Sequence, residues 1–277
     1  MNIRKDSGPL KWILIGISVL FLFVMLILPL SYVMYTAFSK GIKVFLAAVT
    51  DKYALHSIKL TIEVSLIAVV CNTFFGIFAS WLITKFQFKG KKVISLIDLP
   101  LTVSPIIAGL IYVLTFGRQS FIYPYLKAMG IRIIFAVPGI VLATIFVTFP
   151  FISRELIPVL TSQGTDEEEA MGANGWTIFW KVTFPHIKWP LLYGIVLCTA
   201  RAMGEFGAVS VLSGHLRGRT NTMPLYIELL YQGYDFTGAF AVSAILVLMA
   251  VIILVLRSVL EYKGQQAAKA EKGQQEG

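Results

Sequence analysis

The sequence predicts an all-α integral membrane protein with about six transmembrane helices. Apolar residues make up 57% of its 277 residues, charged residues only 14%, and the mean hydropathy is +0.77. The apolar residues form long runs, and this composition cannot supply the polar surface of a soluble domain. Unpaired backbone groups are costly in lipid, so a spanning segment must be a helix or part of a closed β-barrel. The sequence has no segments of about ten residues with the alternating pattern of a barrel strand, so the spans are predicted to be helices.

Six apolar runs are long enough to cross a bilayer. A hydrocarbon core about 30 Å thick requires roughly 20 apolar residues in a helix. We place the spans at residues 12–37, 58–83, 93–116, 137–157, 190–212 and 239–260. The first run has a basic start, but it is longer than the apolar part of a signal peptide and no small-residue cleavage site follows. We therefore expect it to be retained.

The distribution of positive charge predicts the orientation. With six spans both termini lie on one side, which would hold 14 lysines and arginines against eight on the other side. This bias places both termini in the cytoplasm. Residues 1–263 then form one transmembrane domain, and residues 264–277, rich in Gln, Lys and Ala, form a disordered cytoplasmic tail. The outer cations could attract an anionic cargo or be ordinary solvated loop charges.

Prolines mark the third span. Pro100 and Pro105 are expected to bend or break its helix, because proline lacks the backbone N–H and its ring collides with the preceding turn. Together with Ser104 and Gly109 they could line a pathway. The simpler interpretation is packing, since proline is frequent in membrane helices.

The loop at residues 161–189 is the longest on the side of the termini. After Thr165, a run of carboxylates suits the first turn of a short helix. Gly172 and Gly175 then turn the chain, and residues 176–184 form a second short amphipathic helix that Pro185 stops. From the residues alone, this loop is either a compact docking element or an interfacial loop with its aromatic side chains among the lipid headgroups.

The fifth span contains two ionisable residues. Arg201 and Glu205 are four apart, so they share a helix face and can pair. An ionisable residue within a span is costly and usually faces the bundle interior or a water path. Gly204 and Gly207 allow other backbones to approach closely. The pair is therefore a candidate either for the transport pathway or for a structural contact between helices.

The sequence lacks the patterns that catalysis or metal binding would require. It contains no phosphate-binding Gly-x-x-x-x-Gly-Lys-Ser/Thr loop, nucleophile elbow, kinase motif set or zinc-ligand spacing. Cys71 and Cys198 fall inside spans, where small apolar packing is the expected role and no disulfide is predicted. We expect no enzymatic activity, no cofactor, no metal and no nucleic-acid partner.

The 161–189 loop resembles the coupling loop of ABC importer permeases. The residues that carry the resemblance are Glu169, Ala170, Gly172 and Pro185. The resemblance implies two coupling helices that dock on a separate ATP-binding subunit. The spacing from Gly172 to Pro185 matches the family, but Glu169 lies about three residues closer to Gly172, slightly less than one helical turn. Gly175 is therefore included among the candidate contact residues.

A more specific resemblance begins in the fifth span. The segment from Arg201 to Gly218, which contains Arg-Ala-Met-Gly-Glu-Phe-Gly-Ala, resembles sulfate/thiosulfate and molybdate permeases. The continuation Asn-Thr-Met-Pro-Leu-Tyr-Ile-Glu from Asn221 is similar to the W type of sulfate permease subunit. The resemblance covers nearly the whole chain. It implies a type I ABC importer fold, in a multi-pass subunit of the cell or inner membrane that imports sulfate or thiosulfate.

The resemblance also implies an assembly in lipid. Its other members would be a sister permease of the T type, two copies of an ATP-binding subunit that hydrolyses ATP, and an extracytoplasmic sulfate-binding protein. One alternative is a molybdate or tungstate permease that pairs with itself. A second alternative, of another class, is an autonomous channel or a membrane enzyme. A channel has no use for a coupling loop, and an enzyme requires a catalytic constellation that the sequence lacks.

Overall fold

The computed structural model describes residues 9–87, 89–91, 95–163 and 175–275. Within these ranges the regular structure is helical and no strand occurs. The predicted all-α fold class is therefore confirmed. Helices of eight or more residues make up most of the described chain. In a helix the backbone N–H and C=O groups of an apolar run bond to one another, as a membrane requires.

Four unbroken helices and two bent pairs are long and apolar enough to span a membrane. The unbroken helices are Lys11–Phe38, Lys52–Lys85, Val137–Ser162 and Phe236–Gly264, which we call spans one, two, four and six. Span three consists of Leu96–Thr102 and Pro105–Phe116, bent by 110°, and span five of Phe179–Met203 and Gly207–Ser213, bent by 50°. Counting each pair once gives six spans among the described residues, the number expected.

Three shorter helices connect the spans: Ile42–Val49, Tyr123–Ala128 and Met223–Gln232. Span two begins at a well-formed cap, because the Asp51 carboxylate accepts hydrogen bonds from the N–H groups of Tyr53 and Ala54. In span three, Val103 and Ser104 separate the halves and Pro105 begins the second half, where its fixed φ and missing N–H are tolerated. The break in span three therefore lies where the prolines were expected to produce one.

Two wider turns allow helices to continue past prolines. The π-helical turns Phe23–Ile27 and Phe179–Thr183 end two residues before Pro29 and Pro185. Each turn shifts the hydrogen-bond pattern by one residue just before a proline that cannot donate. The prediction that Pro185 stops a separate short helix at 176–184 was wrong. That segment is the first part of span five, which is helical from Gly175 through Met203.

Spans two, four and five form the centre of the bundle. Span two packs along span four, and span five packs on both. One buried apolar cluster joins them: Val69, Ile152, Leu156, Leu160, Ile187, Leu191 and Cys198. By contrast, none of the most apolar 18-residue stretch of span one is buried within the subunit. Lipid or another chain must therefore cover that helix.

The last helix extends from Phe236 to Gln275. It passes the predicted end of the sixth span at residue 260 and includes residues 264–275 of the segment expected to lack regular structure. The physical reason is local, since Ala, Gln, Lys and Glu dominate this segment and all favour a helix.

Candidate transport pathway and coupling site

The structure places the two ionisable residues of span five in contact. Arg201 Nη1 lies 2.6 Å from Glu205 Oε2. The two side chains differ sharply in exposure, since 32% of the Arg201 side chain is accessible but only 1% of the Glu205 side chain. The carboxylate is therefore enclosed, and the guanidinium lies between it and the surface of the subunit. The contact itself does not decide between a pathway role and a structural role.

Glu205 also holds the second half of span five. Its Oε1 accepts a hydrogen bond of 2.9 Å from the backbone N–H of Ala208, in the first turn of the helix Gly207–Ser213. A helix that restarts after a break has N–H groups without helical partners, and a carboxylate there satisfies one of them and suits the helix dipole. One carboxylate therefore serves both halves of the span, through Arg201 before the break and Ala208 after it.

The two broken spans meet at their breaks. A Cβ added to Gly207 would lie 2.9 Å from Cβ of Pro105, the residue that begins the second half of span three. One turn further, a Cβ added to Gly109 would lie 2.7 Å from the carbonyl oxygen of Ala208. Contacts this close leave room only for glycine, so both glycines act as packing residues between spans three and five.

A buried polar contact lies in the centre of the bundle. Asn72 of span two donates a hydrogen bond of 2.7 Å to Thr148 Oγ1 of span four, and Thr148 in turn donates to the Thr144 carbonyl. The Cys198 sulfur lies 3.7 Å from the same Asn72 nitrogen. Sequence analysis did not identify Asn72. A single amide in an apolar run carries no spacing signal, and only the packing of the spans supplies its partners.

A polar cluster fixes the loop after span five to the start of span two. The Arg217 guanidinium stacks 4.3 Å from the centre of the Tyr53 ring, and Tyr226 donates a hydrogen bond of 3.2 Å to Asp51 Oδ2. Partial burial by itself would raise the pKa of Asp51. Hydrogen bonds from Tyr53, Ala54 and Tyr226 and the charge of Arg217 outweigh it, so the pKa lies below its ordinary value.

Most of the predicted coupling residues lie outside the described residues. These are Glu169, Ala170 and Gly172. Gly175 is the first residue of a short helix, and Pro185 lies in the continuous helix of span five, so the structure does not bring these two into one turn. The loop segment that is described packs on span two, with the Phe179 ring 5.1 Å from the Trp81 ring.

The surface of that segment is accessible. Phe179 is buried, whereas the Trp180 side chain is half exposed and Lys181 is exposed. At the start of span five, one aromatic side chain is therefore packed on span two, while Trp180 and Lys181 remain accessible. Among the residues that the structure describes, no group of three or more His, Cys, Asp or Glu could hold a metal ion.

The chain is closely similar to known sulfate permeases. It is 47% identical over 280 residues to the sulfate transport system permease protein CysW of Escherichia coli, covering 99% of this chain and 96% of that protein. The CysW protein of Synechocystis is 45% identical over 95% of this chain and 96% of its own. The chain belongs to the CysW family of sulfate transport system permeases. It is accordingly a multi-pass transport permease and not an enzyme. No family model matches the chain.

Solved structures show the same fold at much lower identity. A bacterial ABC transporter that imports the acidic polysaccharide alginate has a chain with a TM-score of 0.74 and 18% identity, covering 92% of this chain and 96% of that one. An amino acid ABC transporter gives a TM-score of 0.55 at 16% identity, over 79% of this chain. The CysW family member described here therefore has the fold of ABC importer permeases, and the type I fold expected from the sequence is confirmed.

Proposed function

We propose that this chain is one of two permease subunits of an ATP-driven importer of sulfate, with thiosulfate as a second cargo. The observation that carries the proposal is the identity of 45–47% to sulfate permeases over nearly the full chain. Two further features are consistent with it. The breaks in the third and fifth spans carry polar residues, Ser104 and Glu205, and a cation lies at the surface of the subunit near one break.

The partners follow from the same family. The chain pairs with a sister permease of the T type, and the pair binds two ATP-binding subunits and an extracytoplasmic sulfate-binding protein. ATP is hydrolysed in the ATP-binding subunits, because this sequence contains no phosphate-binding loop. The alginate importer provides a parallel, since it has been crystallised with an oligosaccharide-bound periplasmic protein.

The loop at residues 161–189 couples this chain to the ATP-binding subunit. In this proposal both termini are cytoplasmic in a cell or inner membrane, so the loop faces the ATP-binding subunit. Glu169, Ala170, Gly172, Gly175 and Pro185 form or support the contact. The packing of Phe179 on Trp81 joins the loop to span two, so a movement of the loop is transmitted to the bundle core.

Transport of radiolabelled sulfate tests the proposal. The gene is deleted in a strain from which other sulfate carriers have been removed, and uptake is measured with and without ATP depletion. We expect sulfate uptake to require both the chain and ATP. Intact sulfate uptake with loss of molybdate uptake would instead assign the chain to the molybdate class. ATP-independent uptake through the chain alone would indicate a channel.

A further inference from the structure

The two members of the span-five ion pair differ in exposure, since Arg201 is partly accessible and Glu205 is buried. Both oxygens of Glu205 have partners, Arg201 on one and the Ala208 N–H on the other. Arg201 has donors to spare, because a guanidinium carries five N–H groups and Glu205 is its only bonded partner among the described residues. Here only the carboxylate is buried.

The exposed third of Arg201 cannot face lipid at low cost. Arg201 lies two residues before the end of the first half of span five, within the apolar run 190–212, where a charged group in contact with hydrocarbon is strongly unfavourable. The accessible part of this side chain must therefore face water or another polar group. In a permease, the water at this depth is that of the transport pathway.

We infer that Arg201 contacts the sulfate anion during its passage and that Glu205 is the residue that positions Arg201. This inference rests on the proposed function. The planar guanidinium fork fits two oxygens of a tetrahedral oxyanion. Glu205 contributes in two ways: it fixes the guanidinium relative to the break in span five, and its charge offsets that of Arg201. A partly neutralised cation attracts a dianion enough to admit it but not enough to retain it.

The break in span three provides a second candidate group. Gly207 packs against Pro105, and this contact brings the start of the second half of span three to the break in span five. The residue before Pro105 is Ser104, whose side chain is exposed. Its hydroxyl is a neutral donor suited to the same anion.

A neutralised pair separates this role from a structural one. Arg201→Gln alone strands the Glu205 charge, so a loss of uptake would not distinguish the two roles. The variant Arg201→Gln with Glu205→Gln strands no charge and retains an amide oxygen for the Ala208 N–H. We expect this double variant to assemble and unfold like the wild type, while sulfate uptake falls about tenfold because the guanidinium is gone. If the double variant assembles and takes up sulfate at the wild-type rate, the inference is overturned.

The assay uses the complete importer in proteoliposomes with saturating binding protein. The matched control is Lys59→Gln with Glu63→Gln, which neutralises an exposed pair of the same spacing in span two. We expect wild-type uptake from this control, and a loss as large as in the span-five double variant would overturn the assignment to Arg201. Absence of sulfate uptake by the wild-type complex would contradict the proposed function, whereas the variants test only Arg201.

If the double variant does not accumulate in the membrane, a further variant tests the inference. Arg201→Lys preserves the charge and the pair with Glu205 but replaces the fork by a single ammonium. We expect normal assembly and an uptake rate at least about threefold lower, because lysine cannot offer two oriented donors to the anion while bonded to Glu205. Wild-type uptake by this variant would overturn the inference.

Discussion

Asp51 illustrates how one exposed residue connects two segments at one end of the bundle. Its carboxylate caps span two by accepting a hydrogen bond of 2.9 Å from the Tyr53 N–H. It also accepts a hydrogen bond from the hydroxyl of Tyr226, in the helix after span five. Arg217, stacked on Tyr53, adds a favourable charge. These contacts stabilise the charged form of the carboxylate more than the neutral form, and they connect two segments far apart in the chain.

We predict that Asp51→Asn destabilises the protein in a pH-dependent way. The pKa of Asp51 is lower in the folded state than its ordinary 3.8. Its stabilisation is therefore complete above the unfolded value and is lost as the pH falls through the folded value. Unfolding temperatures of the wild type and the variant should differ at neutral pH and converge below 3.8. A difference that persists unchanged in acid would show that the charge of Asp51 is not what stabilises the fold.

At the scale of elements, the broken spans depend on close backbone packing. Gly109 in the second half of span three lies against Ala208 in the second half of span five, and a Cβ there would be 2.7 Å from a backbone oxygen. A backbone oxygen cannot move aside as the end of a flexible side chain can, so any side chain at residue 109 forces the two half-helices apart.

We predict that Gly109→Ala destabilises the protein by about 1–3 kcal/mol, the usual cost of overpacking, and lowers sulfate uptake. Gly16→Ala is the matched control. Gly16 also lies in a transmembrane helix, but no atom is within 4 Å of its added Cβ. Thermal unfolding in detergent and uptake in cells measure the two effects. Equal results for the two variants would contradict the close approach of spans three and five.

The coupling loop gives a second prediction for an element. The resemblance implies that Gly172 contacts the ATP-binding subunit at a turn, and in that proposed role a larger residue would collide with the partner or distort the turn. Gly172→Leu should leave membrane insertion intact, weaken co-purification of the ATP-binding subunit and abolish uptake. Gly175→Leu tests whether the shorter spacing has moved the contact to the second glycine. If both variants behave as the wild type, the loop is not the docking element.

At the scale of the whole molecule, the six spans and the charge bias together predict a topology. The prediction is that Lys91 and Lys269 are cytoplasmic while Lys127 and Arg217 are external. Single cysteines at these positions, in a background without Cys71 and Cys198, are exposed to a membrane-impermeant thiol reagent. Labelling from outside should occur at positions 127 and 217 only. Labelling at 91 would contradict the six-span arrangement.

The sequence by itself determined the class of protein and the number of spans. Run length and hydropathy are properties of contiguous residues, and a bilayer accepts few structures, so six apolar runs suffice to predict six spans. Pro100 and Pro105 likewise predicted the break in span three, because proline acts on its own helix. The spacing of Arg201 and Glu205 predicted their contact, but the expectation that they share a helix face was wrong, because the helix ends at Met203 and Glu205 lies in the break.

Only the tertiary structure decided what those residues contact. The helix continues past Pro185 because a π-helical turn precedes it. Nothing in the spacing of Glu205 indicates that it also caps the helix after the break, that Gly109 approaches Ala208, or that Asn72 meets Thr148. Each of these depends on which helices become neighbours. That choice is made by packing many side chains at once, and a pattern along a single chain does not encode it.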